Sequence, residues 1–168
     1  MTPLIIELEP LQGAGPIPLG APFEEAGRAL AAWGTPQPYA PYPGAEPLDW
    51  RLADSAVGAH VHCGSKGTVQ TIELYRHPET TPQAQVLLLG LDVFATPAEQ
   101  VIAHLRAHHD VVDEHDGHDL AVPSLSIGMS RPMVPDPDED DEETIARYTT
   151  FTTVLLAGPG YYDPPPRR

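Results

Sequence analysis

Histidine is the residue type with the clearest chemical potential in this sequence. The eight histidines are distributed unevenly along the chain. His60 and His62 stand two residues apart in a segment with strand character, so both imidazoles would point to the same face of a sheet. His104 and His108 stand four residues apart in a predicted helix, which places them on one side of that helix. Imidazoles bind zinc when three or more ligand side chains converge on one ion.

Two interpretations of these histidines stay open. In one, His60, His62, His104 and His108 supply ligands in a metal-binding protein or a metal-dependent enzyme, with a divalent transition metal such as zinc. In the other, the strand pair lies on an exposed sheet face and the helix pair complements the helix dipole, so the protein needs no cofactor. Nothing in the sequence brings the two pairs together. Leu105 also stands where zinc proteases have a glutamate. We favour the second interpretation.

Nucleophilic catalysis has little support in the sequence. Cys63 follows His62, but adjacent strand residues face opposite sides of a sheet, so this imidazole is badly placed to accept the thiol proton. Free cysteines are commonly buried, and we expect Cys63 to be buried and inert. Residues 64–67, GSKG, match neither a phosphate-binding loop nor a serine nucleophile elbow. Their glycines predict a turn between two strands.

Acidic residues suggest a different function. The sequence has 9 Lys and Arg against 24 Asp and Glu, a net charge of −15, which argues against nucleic acids and anionic membranes as partners. A dense acidic run occupies residues 135–143. Exposed negative charge accelerates association with a basic protein, although solubility is its simpler use. The candidate contact residues are Asp138, Glu139, Asp140, Asp141 and Glu142, together with Tyr39 and Tyr42 of a proline-rich segment.

We therefore predict a bacterial, non-enzymatic protein-binding module, in concrete form an inhibitor or immunity-type protein directed against a basic partner. No apolar run approaches the ~20 residues needed to cross a bilayer, and the N-terminus lacks the features of a signal peptide. The single cysteine agrees with a reducing compartment, so we expect a cytoplasmic protein. The oligomeric state is left open, including a homodimer.

Two segments have the residues that typically begin a helix, followed by apolar residues at helical spacing. Pro22 at a first helical position is followed by acidic residues and by apolar residues at helical spacing up to Gly34. In the second segment Thr96 is the predicted N-cap, and Glu99 completes a capping box. Because Pro22 and Pro97 each precede a glutamate by two residues, we expect the two helices to be copies of one repeat.

Segments with strand character flank each predicted helix. They cover residues 4–8, 56–63 and 68–76 in the first half, and 86–91, 120–130 and 148–156 in the second. The result is a tandem β-α-β-β repeat with an α+β fold, in which two helices pack on one face of an antiparallel sheet. We predict one domain over 1–158, with half-repeats of about 1–80 and 81–158, and a flexible proline-rich tail over 159–168. The proline-rich segment 35–47 and the acidic run are expected to be loops.

A resemblance to known bacterial proteins lies in the segments before the helices. Residues 15–20, GPIPLG, with the acidic helix start that follows, resemble the beginning of the duplicated modules of beta-lactamase inhibitor protein and outer-membrane assembly lipoproteins. Residues 90–94, GLDVF, running into TPAEQVI, are similar to segments of uncharacterised conserved bacterial proteins. The resemblance implies a small binding protein without catalytic residues. It does not carry over an envelope location, because no lipoprotein cysteine stands near the N-terminus.

Overall fold

The computed structural model describes residues 3–53, 55–79, 83–113, 115–164 and 166. Within these ranges the chain forms three α-helices and thirteen β-strands. The helices are α1 (Phe23–Leu30), α2 (Ala98–Arg106) and α3 (Glu142–Tyr148). The strands are β1 (Leu4–Glu9), β2 (Gly13–Ala14), β3 (Ile17–Pro18), β4 (Gln37–Tyr39), β5 (Asp49–Leu52), β6 (Gly58–His62), β7 (Thr71–Tyr75), β8 (Ala84–Leu88), β9 (Leu91–Asp92), β10 (Val112–Asp113), β11 (Asp119–Val122), β12 (Ile127–Ser130) and β13 (Thr153–Ala157).

The described strands form two sheets. A five-stranded sheet has the order β3-β2-β1-β8-β9, and its central pair, β1 and β8, is parallel. An eight-stranded sheet has the order β10-β11-β12-β13-β7-β6-β5-β4, and all of its pairs are antiparallel. The predicted α+β class is therefore confirmed, with the strands divided between two sheets instead of one.

The two halves of the chain repeat one order of elements. Each half begins with a strand of the small sheet, β1 or β8, continues through α1 or α2, and ends in a four-stranded meander, β4–β7 or β10–β13. The meanders meet where β7 pairs with β13, and the small sheet joins the halves where β1 pairs with β8. Pro22, which was expected at the first helical position, is the N-cap of α1, and Pro97 is the N-cap of α2. The two prolines that the sequence aligned therefore occupy equivalent positions. The β-α-β-β pattern is present in each half, with additional strands.

Several predicted elements differ from the observed ones. Segment 35–47, expected to be a loop, contains the edge strand β4, where Pro38 is tolerated because it lies at the sheet edge. Segment 120–130 is a hairpin, because a 3-10 turn at Pro123–Leu125 separates β11 from β12. Segment 148–156 is a strand only from Thr153 onward, because α3 ends at Tyr148. The acidic run supplies the start of α3.

The start of α2 also differs from the predicted capping box. The N-cap is Pro97 and not Thr96, and no side chain caps the helix. The backbone N–H of Ala98 donates instead to the carbonyl oxygen of Thr149 at 2.9 Å. Glu99 accepts a hydrogen bond from Arg131 at 3.0 Å and so does not close the box. Tertiary contacts have replaced a local motif that the sequence alone would favour.

Two buried arginines hold the connection between α3 and β13. Arg76 donates from Nε to the carbonyl oxygen of Phe151 at 3.1 Å and from Nη2 to Oγ1 of Thr150 at 2.7 Å. Arg131 donates from Nη1 to the carbonyl oxygen of Tyr148 at 2.8 Å. These bonds satisfy carbonyl groups that no strand partner serves, and buried carbonyl groups need such partners. The arginines thereby fix the position at which β13 begins.

One apolar core connects both halves of the chain. It includes fully buried side chains from the small sheet, the two longer helices and the large sheet, among them Ile6, Leu30, Ile72, Leu105, Phe151 and Leu156. Trp50 stacks on Phe23 with ring centroids 4.6 Å apart and so attaches α1 to β5. A Cβ at Gly27 would lie 2.3 Å from the Trp50 ring, so this helix position must be glycine. None of the described helices has the length and apolarity to span a membrane.

Candidate functional site

The face of the eight-stranded sheet that points away from the core, here called the outer face, carries the polar side chains. Along β5, β6 and β7, residues of the core alternate with residues of the outer face, as the period of two in a strand requires. Leu52, Ala59, Val61, Ile72 and Leu74 are buried in the core. The outer-face positions of these strands hold Asp49, Arg51, His60, His62, Thr71, Glu73 and Tyr75.

Asp49 is the centre of a hydrogen-bond network on this face. Its Oδ2 lies 3.0 Å from Nε2 of His60, and its Oδ1 lies 2.8 Å from Nδ1 of His62. Oδ1 also accepts from the backbone N–H groups of Cys63 at 3.2 Å and Gly64 at 3.4 Å. Asp49 is buried, while the His60 and His62 side chains are 30% and 48% exposed. One carboxylate therefore orients two imidazoles that solvent and ligands can reach.

The environment of Asp49 keeps its carboxyl group ionised. Burial by itself would raise the pKa of Asp49. The hydrogen bond from His60, the proximity of His62 and the backbone N–H groups of Gly64 and Cys63 together outweigh burial, so the pKa lies below its ordinary value. A buried carboxylate surrounded by four donors is a stable anionic anchor for the two imidazoles.

The three side chains also have the arrangement of a metal ligand set. One ligand atom from each of Asp49, His60 and His62 lies within 4.8 Å of those of the other two. Two donors bound to the same tetrahedral zinc ion at ~2.0–2.2 Å are roughly 3.3–3.6 Å apart. The nitrogen–oxygen distances of 2.8 and 3.0 Å are a few tenths of an ångström shorter than this separation. Each of these two distances runs to a different carboxylate oxygen, and a ligand group with one atom from each residue lies within 4.8 Å.

The imidazoles open into a cavity of about 970 Å³, here called the histidine cavity. Lys66, Gln70, Glu73 and Tyr161 are among its other lining residues. Nε2 of His62 faces the loop, where a Cβ at Gly64 would come within 3.1 Å of it. Gly64 has a φ of 63°, in the left-handed region that favours glycine. The loop after β6 therefore leaves room for the ring.

The structure separates the other predicted metal ligands from His60 and His62. Asp49, His60 and His62 form the one candidate ligand group within the described ranges, so His104 and His108 do not contribute to it. Both are exposed, His104 on α2 and His108 just after its end. The two pairs lie on different elements that the strand pairing does not bring together.

Cys63 is fully buried, which confirms the expectation from sequence. Burial, and secondarily the charge of Asp49, raise the pKa of its thiol to about 11. A thiol with this pKa supplies almost no thiolate near neutral pH, and thiolate is the nucleophilic form. The predicted turn over residues 64–67 is also confirmed. It is a 3-10 turn that ends at Gly67 with a φ of 69°.

The acidic run is exposed and partly helical. Asp138, Glu139, Asp140 and Asp141 lie in the turn before α3, and Glu142 is the first residue of that helix. Asp141 is the N-cap, since its Oδ1 accepts from the backbone N–H of Thr144 at 2.7 Å. Glu143 pairs with Arg147 one turn later at 2.5 Å. The run thus serves the fold as well as the surface.

Tyr39 and Tyr42 lie far from the acidic run. Tyr39 is on β4, four strands from β13, which is roughly 19 Å at the usual strand spacing. Pairing across the sheet places Tyr39 level with Ala157, the last residue of β13, whereas the acidic run leads into Thr153, the first. Both tyrosines are exposed, and the guanidinium of Arg51 lies 3.6 Å above the ring centre of Tyr39. The predicted contact residues therefore form two separate surfaces.

Asp49 is the residue of the candidate site that sequence analysis missed. It lies 11 and 13 residues before the two histidines, at the end of a proline-rich segment. The only local signal is the sequence Asp49-Trp50-Arg51-Leu52, in which polar and apolar residues alternate as they do in a half-buried strand. A hairpin between this strand and β6 would have suggested the pairing of Asp49 with His62.

Comparison of the chain with known protein families, curated proteins and solved structures gave no match.

Proposed function

We propose that the chain is a metal-binding protein that holds a divalent transition metal ion, such as zinc, through Asp49, His60 and His62. The observation that carries the proposal is the convergence of these three ligand atoms within 4.8 Å at the edge of a cavity. Two imidazoles and a carboxylate suit zinc and the other transition metals better than calcium or magnesium. This was the alternative interpretation of the histidines, with Asp49 now taking the role of the helix pair.

The surroundings of the three residues support the proposal. His60 and His62 lie on one rigid strand, and their relative position follows from the strand repeat. Asp49 reaches them from the paired strand β5. An ion held by three protein ligands keeps a position for water or a small ligand, and the histidine cavity gives room for it.

Proton competition gives the proposal a testable sign. An imidazole nitrogen must lose its proton before it binds a metal ion, so binding releases protons and weakens in acid. We expect the affinity for Zn²⁺ to fall as the pH is lowered from 7.5 to 5.5, because protons compete with the ion for the imidazole nitrogens.

The direct test is metal binding by the purified, untagged protein. After removal of metals with a chelator, the protein is titrated with Co²⁺, whose absorption spectrum reports nitrogen and oxygen ligands, and then with Zn²⁺ in competition. We expect one ion per chain. The His60→Ala/His62→Ala variant should lose this site, because it removes two of the three ligands.

The chain offers a matched control in the other histidine pair. The His104→Ala/His108→Ala variant removes the same number of imidazoles from exposed positions and should bind Co²⁺ like the unmodified protein. Equal binding by the unmodified protein and the His60→Ala/His62→Ala variant would contradict the proposal, as would a total absence of binding. Circular dichroism of each variant shows whether the fold is retained.

A second candidate function keeps the acidic run as a contact surface for a basic protein. Its specific support is the exposure of Asp138 and Glu139, since Asp136 and Asp140 are the residues whose carboxylates accept the backbone hydrogen bonds of the turn. Polylysine serves as a probe of the surface. The Asp138→Asn/Glu139→Gln variant should bind it more weakly than the Glu7→Gln/Glu9→Gln variant, which has the same net charge. Equal affinities of the two variants would show that only total charge matters.

A further inference from the structure

A second cavity lies on the outer face, over the part of the sheet that β10–β13 form. It has a volume of about 750 Å³, within the range of about 300–1,000 Å³ typical of small-molecule pockets. Tyr161 and Tyr162 of the segment after β13 line it, and we refer to it as the tyrosine cavity. Glu73, Leu155 and Tyr161 line both this cavity and the histidine cavity, so the two are neighbours on one face.

The tyrosine cavity occupies the position in the second half that the histidines occupy in the first. Asp49 begins β5 and pairs with His62, and Asp119 begins β11 and pairs with Ser130. By the same registers, His60 corresponds to Gly128. The carboxylate position is therefore retained, while a glycine and a serine replace the two imidazoles. The second half cannot repeat the metal ligand set, and it holds open space instead.

Tyr162 fills part of the space above Gly128. A Cβ at Gly128 would lie 2.1 Å from the hydroxyl oxygen of Tyr162, so only glycine permits this ring position. The rings of Tyr161 and Tyr162 meet edge to face, with centroids 4.9 Å apart and an interplanar angle of 75°. Burial, with smaller effects from Tyr161 and Glu73, raises the pKa of Tyr162 to about 12, so its ring and hydroxyl are neutral at physiological pH.

The charged residues that the structure places at the tyrosine cavity are acidic. Glu73, Asp119 and Asp163 line it, and no Lys, Arg or His is among the lining residues in the described part of the chain. Leu155 and Ala121 contribute apolar surface next to these carboxylates. A pocket of this kind suits an organic cation. Carboxylates attract the positive charge, aromatic rings offer their faces to it, and apolar walls contact the hydrocarbon body.

We propose that the tyrosine cavity binds a small organic cation, an ammonium group carried on an apolar or aromatic body. The carboxylates of Glu73, Asp119 and Asp163 attract the charge, the Tyr161 and Tyr162 rings contact the cation, and Leu155 packs against the body. Glu73, Leu155 and Tyr161 line both cavities, but this proposal does not rest on the proposed metal site. The ligand set of the metal site contains none of the residues that distinguish the tyrosine cavity.

Three probes with one ring system test the charge requirement. Tryptamine carries an ammonium group, 3-ethylindole is neutral, and indole-3-propionate carries a carboxylate. We expect measurable binding of tryptamine by isothermal titration calorimetry and by amide chemical shifts around Gly128. Binding of the neutral compound should be weaker, and binding of the anionic one absent. Equal affinities for the three compounds would overturn the proposal, as would no binding of tryptamine at millimolar concentration.

Two variants locate the site. Asp163→Asn removes a carboxylate that lines the tyrosine cavity only, and it should weaken tryptamine binding about two- to fivefold, the range of an exposed ion pair. Asp138→Asn makes the same change in the acidic run and should have no effect. Tyr162→Leu changes a ring that lines the tyrosine cavity only, and it should weaken binding about two- to tenfold through loss of the ring face. Unchanged affinity in both cavity variants would place the cation elsewhere and refute the site.

The metal-site variant separates the two proposals. Tryptamine affinity should be the same in the presence of a chelator and in the His60→Ala/His62→Ala variant, whether or not the metal site exists. Dependence of tryptamine binding on added zinc would contradict the independence of the two sites.

Discussion

At the scale of single residues, Asp49 joins the fold to the proposed site. It accepts hydrogen bonds from two imidazoles and two backbone N–H groups, and it does so from a buried position. Leaving buried donors without an acceptor costs free energy, and charged acceptors contribute more than neutral ones. The same carboxylate therefore stabilises the metal-free protein and belongs to the proposed metal ligand set.

We predict that Asp49→Asn destabilises the metal-free protein by about 1–3 kcal/mol, because the amide carries no charge and directs an NH₂ group toward one of the donors. Urea unfolding in the presence of a chelator measures this effect. Asp138→Asn, a change of the same chemistry at an exposed position, should have little effect. A loss below about 0.5 kcal/mol for Asp49→Asn would show that the network has no structural role.

The ion pair between Glu99 and Arg131 gives a prediction about pH. The Arg131 side chain is 1% exposed and that of Glu99 is 67% exposed, with 3.0 Å between Oε1 and Nη2. Burial alone would raise the pKa of Glu99, but the hydrogen bond from Arg131 and its charge lower it below the ordinary value of 4.5. The unfolded chain therefore takes up this proton first as the pH falls. The stabilisation is complete above pH 4.5 and is lost as the pH falls through the lower pKa of the folded state.

We expect Glu99→Gln to be less stable than the unmodified protein at pH 7 and closer to it at pH 3, because acid protonates Glu99 and removes the charge that the glutamine lacks. Solvent screening at the exposed glutamate keeps the difference small. Urea midpoints at pH 7, 4.5 and 3 measure it, with Glu25→Gln on α1 as an exposed control. A stability difference that does not change with pH would refute the role of the charge.

At the scale of elements, the starts of α2 and α3 are stabilised by different contacts. Thr96 precedes α2 without capping it, while Asp141 caps α3 through the N–H of Thr144. We predict that Thr96→Ala changes the free energy of unfolding by less than about 0.5 kcal/mol, below the typical loss of a cap residue. Asp141→Ala should lower the stability measurably. Thermal unfolding of the two variants compares their stabilities. A larger loss of stability for Thr96→Ala than for Asp141→Ala would show that Thr96 caps α2 after all.

Local patterns predicted some elements well and missed others for a physical reason. The shared face of His60 and His62 depends only on the repeat of one strand, and the presence of α1 and α2 depends on the helical spacing of neighbouring residues. Asp49 reaches that face only through the pairing of β5 with β6, which single-strand patterns do not specify. The β-branched residues after Tyr148 favoured a strand, but Arg76 and Arg131 donate hydrogen bonds to the carbonyl groups of residues 148–151, and the strand begins only at Thr153.

At the scale of the whole molecule, each sheet contains strands from both halves. The small sheet joins them through β1 and β8, and the large sheet joins them through β7 and β13. The buried core is likewise continuous between them. Neither half can bury its central strands alone, because separation would expose two strand edges and the apolar side chains between them. The repeat is therefore visible in the order of elements without dividing the chain into two independent units.

This connection predicts that the halves unfold together. Trp33 and Trp50, which are the two tryptophans of the sequence, both lie in the first half, so fluorescence reports that half while circular dichroism reports the whole chain. Phe151 in the second half is fully buried, and Phe151→Ala should cost about 3–5 kcal/mol. If the two halves unfold in one transition, the urea midpoint detected by tryptophan fluorescence falls by the same amount as the midpoint detected by circular dichroism. A tryptophan transition that stays at its original urea concentration, after an earlier step in circular dichroism, would show two units that fold separately.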